Sequence, residues 1–341
     1  LALEYLSVVF ALFVKPSRFR PLLFIPIAAL SYYHLFCTVS DSVRSAYNHG
    51  ILVAQTLFMA SDYILLTDVQ RVFSRKDQKG PTYNAPALVR FEWAFDLLTS
   101  YRGIGWLHEP RNIPRLDAKA ASSRLSFVLL QLRWLAHFWM CYEFACVCIA
   151  WSPLFAPGSE IAHRSWLDSY FIVVVLLALQ YSLVGFPYHL AAALLVACGL
   201  SSPDRWPPAM GSWSEAFTLR GFWGKTWHSM LRRTLTSHAR FITFDLLRLP
   251  PKTRVSRYTA LYASFLVSGI MHELMEYHLI LSMADDGLTW KTYTYTCMPY
   301  YFWIATAMIV EDAAIELGKR VGIEGGRLWK VVGYLWFWTV W

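Results

Sequence analysis

Leu167 to Gly199 reads LDSYFIVVVLLALQYSLVGFPYHLAAALLVACG, a run whose only acidic or basic side chain besides His189 is Asp168, next to its start. About twenty predominantly apolar residues suffice for a helix to cross the hydrocarbon core of a bilayer, so this stretch places the chain in a membrane. It is longer than one crossing requires. The surplus predicts tilt, a break near Gly185 and Pro187, or extension beyond the bilayer.

Apolar runs of the same kind lie on both sides of it. Leu1–Val14, Pro21–Thr38, Gly50–Thr67 and Leu125–Trp151 precede it; Tyr258–Met283, Met298–Leu317 and Leu328–Trp341 follow. Together they predict an all-α, polytopic protein of about eight transmembrane helices, forming a single integral membrane domain over 1–341. Composition agrees: of 341 residues 56% are hydrophobic and 16% charged, too apolar for an ordinary soluble domain. Both ends of the sequence fall inside apolar runs, which suggests that residues are missing from each. The first run has no basic region before it and is followed by Lys15, Arg18 and Arg20, unlike a cleaved signal peptide. The six cysteines have no paired ligand spacing and read as small packing residues, so no disulfide framework and no metal site is expected.

Lys and Arg outnumber Asp and Glu by 31 to 23, and the distribution of the excess says what it means. Basic residues concentrate in a few loops between apolar runs and are interleaved with Phe and Trp, the positive-inside pattern of a membrane protein and not a nucleic-acid footprint. The loops 68–124 and 200–257 are strongly basic and are expected in the cytosol. The intervening loops, with Glu160 against Arg164 and with Asp285 and Asp286, are expected in the lumen together with both ends of the sequence. Both long loops carry structure. Leu88, Phe91, Phe95 and Leu98 recur at helical spacing, and Tyr101–Glu109, with Gly103 and Gly105, reads as a turn. After the breaker-rich stretch from Ser201 to Gly211, the pattern from Trp227 onward is amphipathic. Leu231, Thr234, His238, Phe241 and Leu247 fall along one face, with Arg232, Arg233, Arg240 and Arg248 elsewhere, as in an interfacial helix facing phosphates.

Ionisable residues inside a spanning segment are costly and mark functional candidates. His272 lies well inside Tyr258–Met283, with Ser268 one turn before it and Glu276 one turn after, on one helical face. A neutral imidazole there accepts a proton, and a carboxylate neighbour can orient it; the alternative is a histidine satisfied between packed helices. His272-Glu273 does not extend to a zinc-binding HExxH motif, because Glu276 stands where the second histidine belongs and His278 is on another face. Arg133, His137 and Glu143 are candidates to line a polar cavity, although Arg133 also suits snorkelling to the cytosol. His189 has no assigned role. In Phe222-Trp223-Gly224-Lys225-Thr226-Trp227-His228, Trp223 and Trp227 are a helical turn apart, and Gly221 and Gly224 permit close backbone approach. An aromatic belt at the interface explains all of this run except His228.

This run resembles the signature of wax synthase-like acyltransferases, relatives of the membrane-bound O-acyltransferases, and His272 in a later apolar segment matches the family's second feature. More narrowly, the chain resembles fungal wax synthase-like enzymes that acetylate terpenoid or meroterpenoid alcohols. The likeness is specific from Arg220 to Glu276. It departs from sterol and diacylglycerol acyltransferases, whose aromatic motif ends in asparagine where His228 stands. The resemblance implies a multi-pass protein, expected in the endoplasmic reticulum, whose helices enclose an internal reaction cavity. In it an acyl group passes from acetyl-CoA or another acyl-CoA to a hydrophobic alcohol. His272 would be the general base, while His228 or a nearby indole N–H would position the thioester or its oxyanion. Phe222, Trp223, Gly224, Trp227, Ser268, Glu276, Arg133 and His137 would contact substrate, and Lys225, Arg232 and Arg233 the CoA phosphates. Membrane lipids are the other expected partner. A long-chain wax ester synthase, a transporter of hydrophobic metabolites and a structural membrane subunit are the competing readings.

Overall fold

The computed structural model describes residues 1–156, 165–283, 297–323 and 325–340. Each of the eight apolar runs is helical: α1 (Ala2–Phe13), α2 (Phe24–Phe36) and α3 (Val43–Ser61). After the loop helix α4 (Ala87–Thr99) come α5 (Arg124–Trp151) and α6 (Trp166–Ala197). The short α7 (Arg232–Arg240) precedes α8 (Arg254–Met283), α9 (Met298–Arg320) and α10 (Arg327–Val340). No β-strand forms among the described residues; one antiparallel bridge joins Arg75 to Trp106. Among the described residues three helices are long and apolar enough to cross a membrane, Val43–Leu66 (α3 with its terminal turn), α5 and α6. Glu160, Arg164, Asp285, Asp286 and Trp341 lie outside the described residues.

The chain divides into two compact units, Leu1–Pro110 with Met230–Ala313, and Arg111–Ser229 with Ala314–Trp341. In the first, Val8, Val9 and Leu12 of α1 pack with Trp93, Ala94, Leu97 and Leu98 of α4 and with Trp106. Gly103 and Gly105 have φ of +62° and +81°, which builds the turn expected there. The helical spacing of Leu88, Phe91, Phe95 and Leu98 is realised in α4, but Leu88, Phe91 and Phe95 are exposed and only Leu98 of that set is buried. The protein-facing stripe runs through Trp93, Ala94 and Leu97 instead, because those residues meet α1. A second cluster joins Ala54 and Phe58 of α3 to Val267 and Met271 of α8, with Leu231, Leu235 and Ile242 beside them.

In the second unit α5 and α6 pack side by side. Of the outcomes its surplus length allowed, a break near Gly185 and Pro187 does not occur: α6 runs unbroken for 32 residues with Pro187 inside it. At 1.5 Å per residue it is about 48 Å long, well beyond a hydrocarbon core of about 30 Å. Gly185 serves packing, not bending. A Cβ there would overlap the Phe138 ring, which is itself 1% exposed and bounded by Tyr181 and His189, with ring centroids 4.7 and 5.2 Å away. Gly185→Ala is therefore expected to destabilise this helix pair by about 1–3 kcal/mol, read as earlier thermal unfolding in detergent; an unchanged midpoint would show that Phe138 has room to move.

Candidate active site

His272 sits one turn after Ser268 on α8. Its Nδ1–H donates to the Ser268 carbonyl oxygen at 2.8 Å. In a neutral imidazole that bond assigns the proton to Nδ1 and leaves the Nε2 lone pair as the basic site. The partner that fixes the ring through Nδ1 is thus a backbone carbonyl of its own helix. Glu276 lies with Glu273 and Cys297, their ligand-type atoms within 4.8 Å of one another. The Tyr301 ring stands 5.2 Å from the imidazole.

The aromatic motif has a conformation that helical spacing alone does not give. Phe222–Thr226 forms a π-turn, and Trp227 leaves it in extended conformation (φ −71°, ψ 154°) with its N–H on the Phe222 carbonyl at 2.8 Å. Trp223 and Trp227 therefore meet edge to face, 6.3 Å between centroids, without stacking along a helix. Regular helix begins only at Arg232, because the residues from Trp227 to Leu231 make a bend and a turn first. Phe222 is fully buried among Trp213, Trp223, Trp227 and Phe337 and anchors the run. Gly221 lies so close to the Glu215 carbonyl that a Cβ would overlap it, the close approach expected of this glycine. Gly211 N–H donates to the Thr226 carbonyl at 2.8 Å and ties the breaker-rich loop to the motif. The His228 ring lies 5.4 Å from the Trp227 ring. His228 belongs to the second compact unit and His272 to the first.

The basic residues divide by environment. Arg233 grips the fully buried Asp62 with both arms of its fork, 2.9 and 3.1 Å, donates to Thr67 Oγ1 at 2.8 Å and covers the Phe73 ring. Lys225 pairs with Glu215 at 2.7 Å, both more than 40% exposed, a solvated contact that exchanges readily. Burial lowers the Arg232 pKa from its ordinary value. Arg133 and Glu143 are exposed on α5, whereas His137 faces Tyr181 of α6 at 5.8 Å between centroids. His189 Nδ1 bonds to Gln131 Oε1 at 2.6 Å, which gives it a structural partner. Reading α8 in isolation missed Cys297 and Tyr301, which reach His272 and its neighbours from α9 and the residue just before it. Only Glu273, adjacent to His272, carried a sequence signal.

Comparison with known proteins gives this arrangement a family. Residues 206–294, which include the aromatic motif and His272, match the model described as "Membrane bound O-acyl transferase family". Acetyltransferase ple2 of Rhodocybe pseudopiperita is 31% identical, covering 98% of this chain and 85% of its own length. Acetyltransferase eriL of Hericium erinaceus is 30% identical, covering 94% and 82%. No solved structure matches the chain. The chain belongs to the membrane-bound O-acyltransferases, among fungal relatives named acetyltransferases. It is an O-acyltransferase, a class that uses an acyl-CoA and an alcohol acceptor.

Proposed function

We propose that the protein transfers an acetyl group from acetyl-CoA to a hydroxyl of a hydrophobic terpenoid or meroterpenoid, inside a cavity enclosed by about eight membrane helices in the endoplasmic reticulum. The observation that carries the chemistry is the Nδ1–H bond from His272 to the Ser268 carbonyl, which leaves Nε2 as an acceptor of fixed orientation. Nε2 takes the proton of the acceptor hydroxyl as its oxygen attacks the thioester carbonyl; the C–S bond then breaks and the imidazolium returns the proton to the departing CoA sulfur. A positioned base of this kind contributes about 10²- to 10⁴-fold. His228, with the indole N–H groups of Trp223 and Trp227, holds the thioester and its developing oxyanion, a task suited to preorganised donors. Phe222 and Gly224 shape that platform, and His137 and Arg133 contact the acceptor. Glu276 and Ser268 border the base.

Lys225 and Arg232 are the cations proposed to meet the CoA phosphates from the cytosolic side. Arg233 does not fit that task, since Asp62 and Thr67 already fill its fork. The acetyl donor is favoured over a long acyl-CoA because the relatives that cover most of the chain are named acetyltransferases. The test is to incubate the purified protein in detergent with acetyl-CoA or palmitoyl-CoA and a panel of terpenoid and long-chain alcohols. Acetate esters of terpenoid alcohols are expected; esters made only from palmitoyl-CoA would favour a wax ester synthase, and no ester with any pair would remove the reading. His228→Ala is expected to lower kcat about 10- to 10³-fold with residual turnover, since one oxyanion donor of several is lost. An unchanged rate would leave the run an interfacial aromatic belt.

A further inference from the structure

We infer that Glu273, through Cys297, docks the first turn of α9 onto α8, and that Glu273 and Tyr301 are thereby positioning residues for His272. The inference rests on the reading of His272 as the base. Cys297 immediately precedes α9, and its backbone N–H is one of the amides that a helix start leaves without an intrahelical acceptor. That N–H donates to Glu273 Oε2 at 3.1 Å, and the Cys297 thiol donates to the same oxygen at 3.3 Å. A carboxylate of α8 therefore does for α9 what an N-cap side chain ordinarily does from within the chain, and its charge lies at the positive end of the helix dipole. The Cys297 sulfur also approaches the Gly269 carbonyl at 3.6 Å.

Gly269 explains why the two helices meet here. A Cβ at this position would stand 2.7 Å from Met298 Sδ and 3.2 Å from Tyr301 Cδ2, so the first turn of α9 presses directly on the α8 backbone just before His272. Tyr301 is brought by this contact to 5.2 Å from the imidazole and is 6% exposed. The imidazole is held between a backbone acceptor on its own helix and a ring supplied by α9. Glu273, next in sequence to His272, projects about 100° further round the helix. Its carboxylate holds the Cys297 N–H and thiol and so ties the start of α9 to the helix that carries the base.

The distinction from a chemical role of the carboxylate is testable because a glutamine still accepts the Cys297 N–H while carrying no charge. Glu273→Ala is expected to lower kcat about 10- to 100-fold, the scale of a base displaced by about 1 Å, with the KM for acyl-CoA and alcohol within about threefold of wild type. Glu273→Gln is expected to stay within about threefold in kcat with an unshifted kcat–pH profile. Gly269→Ala, which pushes on the same contact without touching a polar group, should reproduce the alanine phenotype, and it serves also if Glu273→Ala does not fold. Glu273→Gln as impaired as Glu273→Ala, or Gly269→Ala with wild-type kcat, overturns the inference. Full activity in His272→Ala would instead remove the underlying base assignment, and that variant is measured in the same series. An inactive His272→Ala beside a wild-type Glu273→Ala would reject only the positioning role.

Discussion

His272→Ala is expected to abolish ester formation at normal assay concentrations, a fall of about 10²- to 10⁴-fold in kcat, while the purified protein keeps its helical signal and its affinity for acyl-CoA. The expectation follows from what the ring is bonded to. Its Nδ1 is committed to the Ser268 carbonyl at 2.8 Å, so the group that alanine removes is a basic nitrogen and a single hydrogen-bond donor. The helix itself is retained, since alanine is a stronger helix former than histidine. His272→Asn supplies the sharper comparison: its amide can donate to the Ser268 carbonyl, yet it has no basic nitrogen. Both variants should be equally inactive if Nε2 is the base. Activity within about threefold of wild type in His272→Asn would mean that the ring only packs, and the proton would have to leave by another route.

The eight helices were legible because a long apolar run without turn residues has few alternatives to helix, and their described bounds fall close to the runs read from sequence; three of the described helices also have the length and apolarity to cross a membrane. What those runs do not disclose is which face meets protein and which meets something else. The repeat of Leu88, Phe91 and Phe95 correctly gave a helix, but those side chains are exposed, while Trp93 and Leu97 form the contact with α1. Periodicity fixes which residues share a face and is silent about the occupant of the far side. The same limit applied at the candidate site. Ser268 and His272 were paired by one-turn spacing on a single helix. Tyr301 and Cys297 belong to another segment, and only folding brings them to Glu273 and the imidazole. The turn after Phe222 was unreadable for a different reason: a π-turn followed by an extended residue differs from an α-helix by one hydrogen-bond register, and no residue type in the run demands it.

The second large expected effect concerns a partnership that sequence separates by 171 positions, Asp62 with Arg233. Asp62 is 0% exposed and opens the turn Asp62–Leu66 that ends the α3 span. Its carboxylate takes both arms of the Arg233 fork and a bond from Thr67 Oγ1 at 2.8 Å. Asp62→Ala leaves a guanidinium without its counter-charge over the Phe73 ring and should cost about 3–5 kcal/mol, whereas Lys225→Ala at the solvated Glu215 pair should cost at most about 1 kcal/mol. Arg233→Ala should resemble Asp62→Ala, and the double variant should lose clearly less than the sum of the two, since neither charge is then stranded. Acid should reveal the same locality. His108, stacked on Phe73 at 4.1 Å, is pushed down to about 4 by burial and then by the Arg233 charge, with Asp62 opposing. It therefore stays neutral in the fold while the unfolded chain takes up its proton near the ordinary value of 6.5, so stability falls as pH drops from there toward 4. Removing Asp62 takes away a charge that opposes this shift, so in the Asp62→Ala variant the loss of stability should continue to lower pH than in the wild type. Additive single-variant costs, measured as unfolding midpoints in detergent, would show instead that Arg233 has partners enough without Asp62, and would return it to the set of cations open to the CoA phosphates.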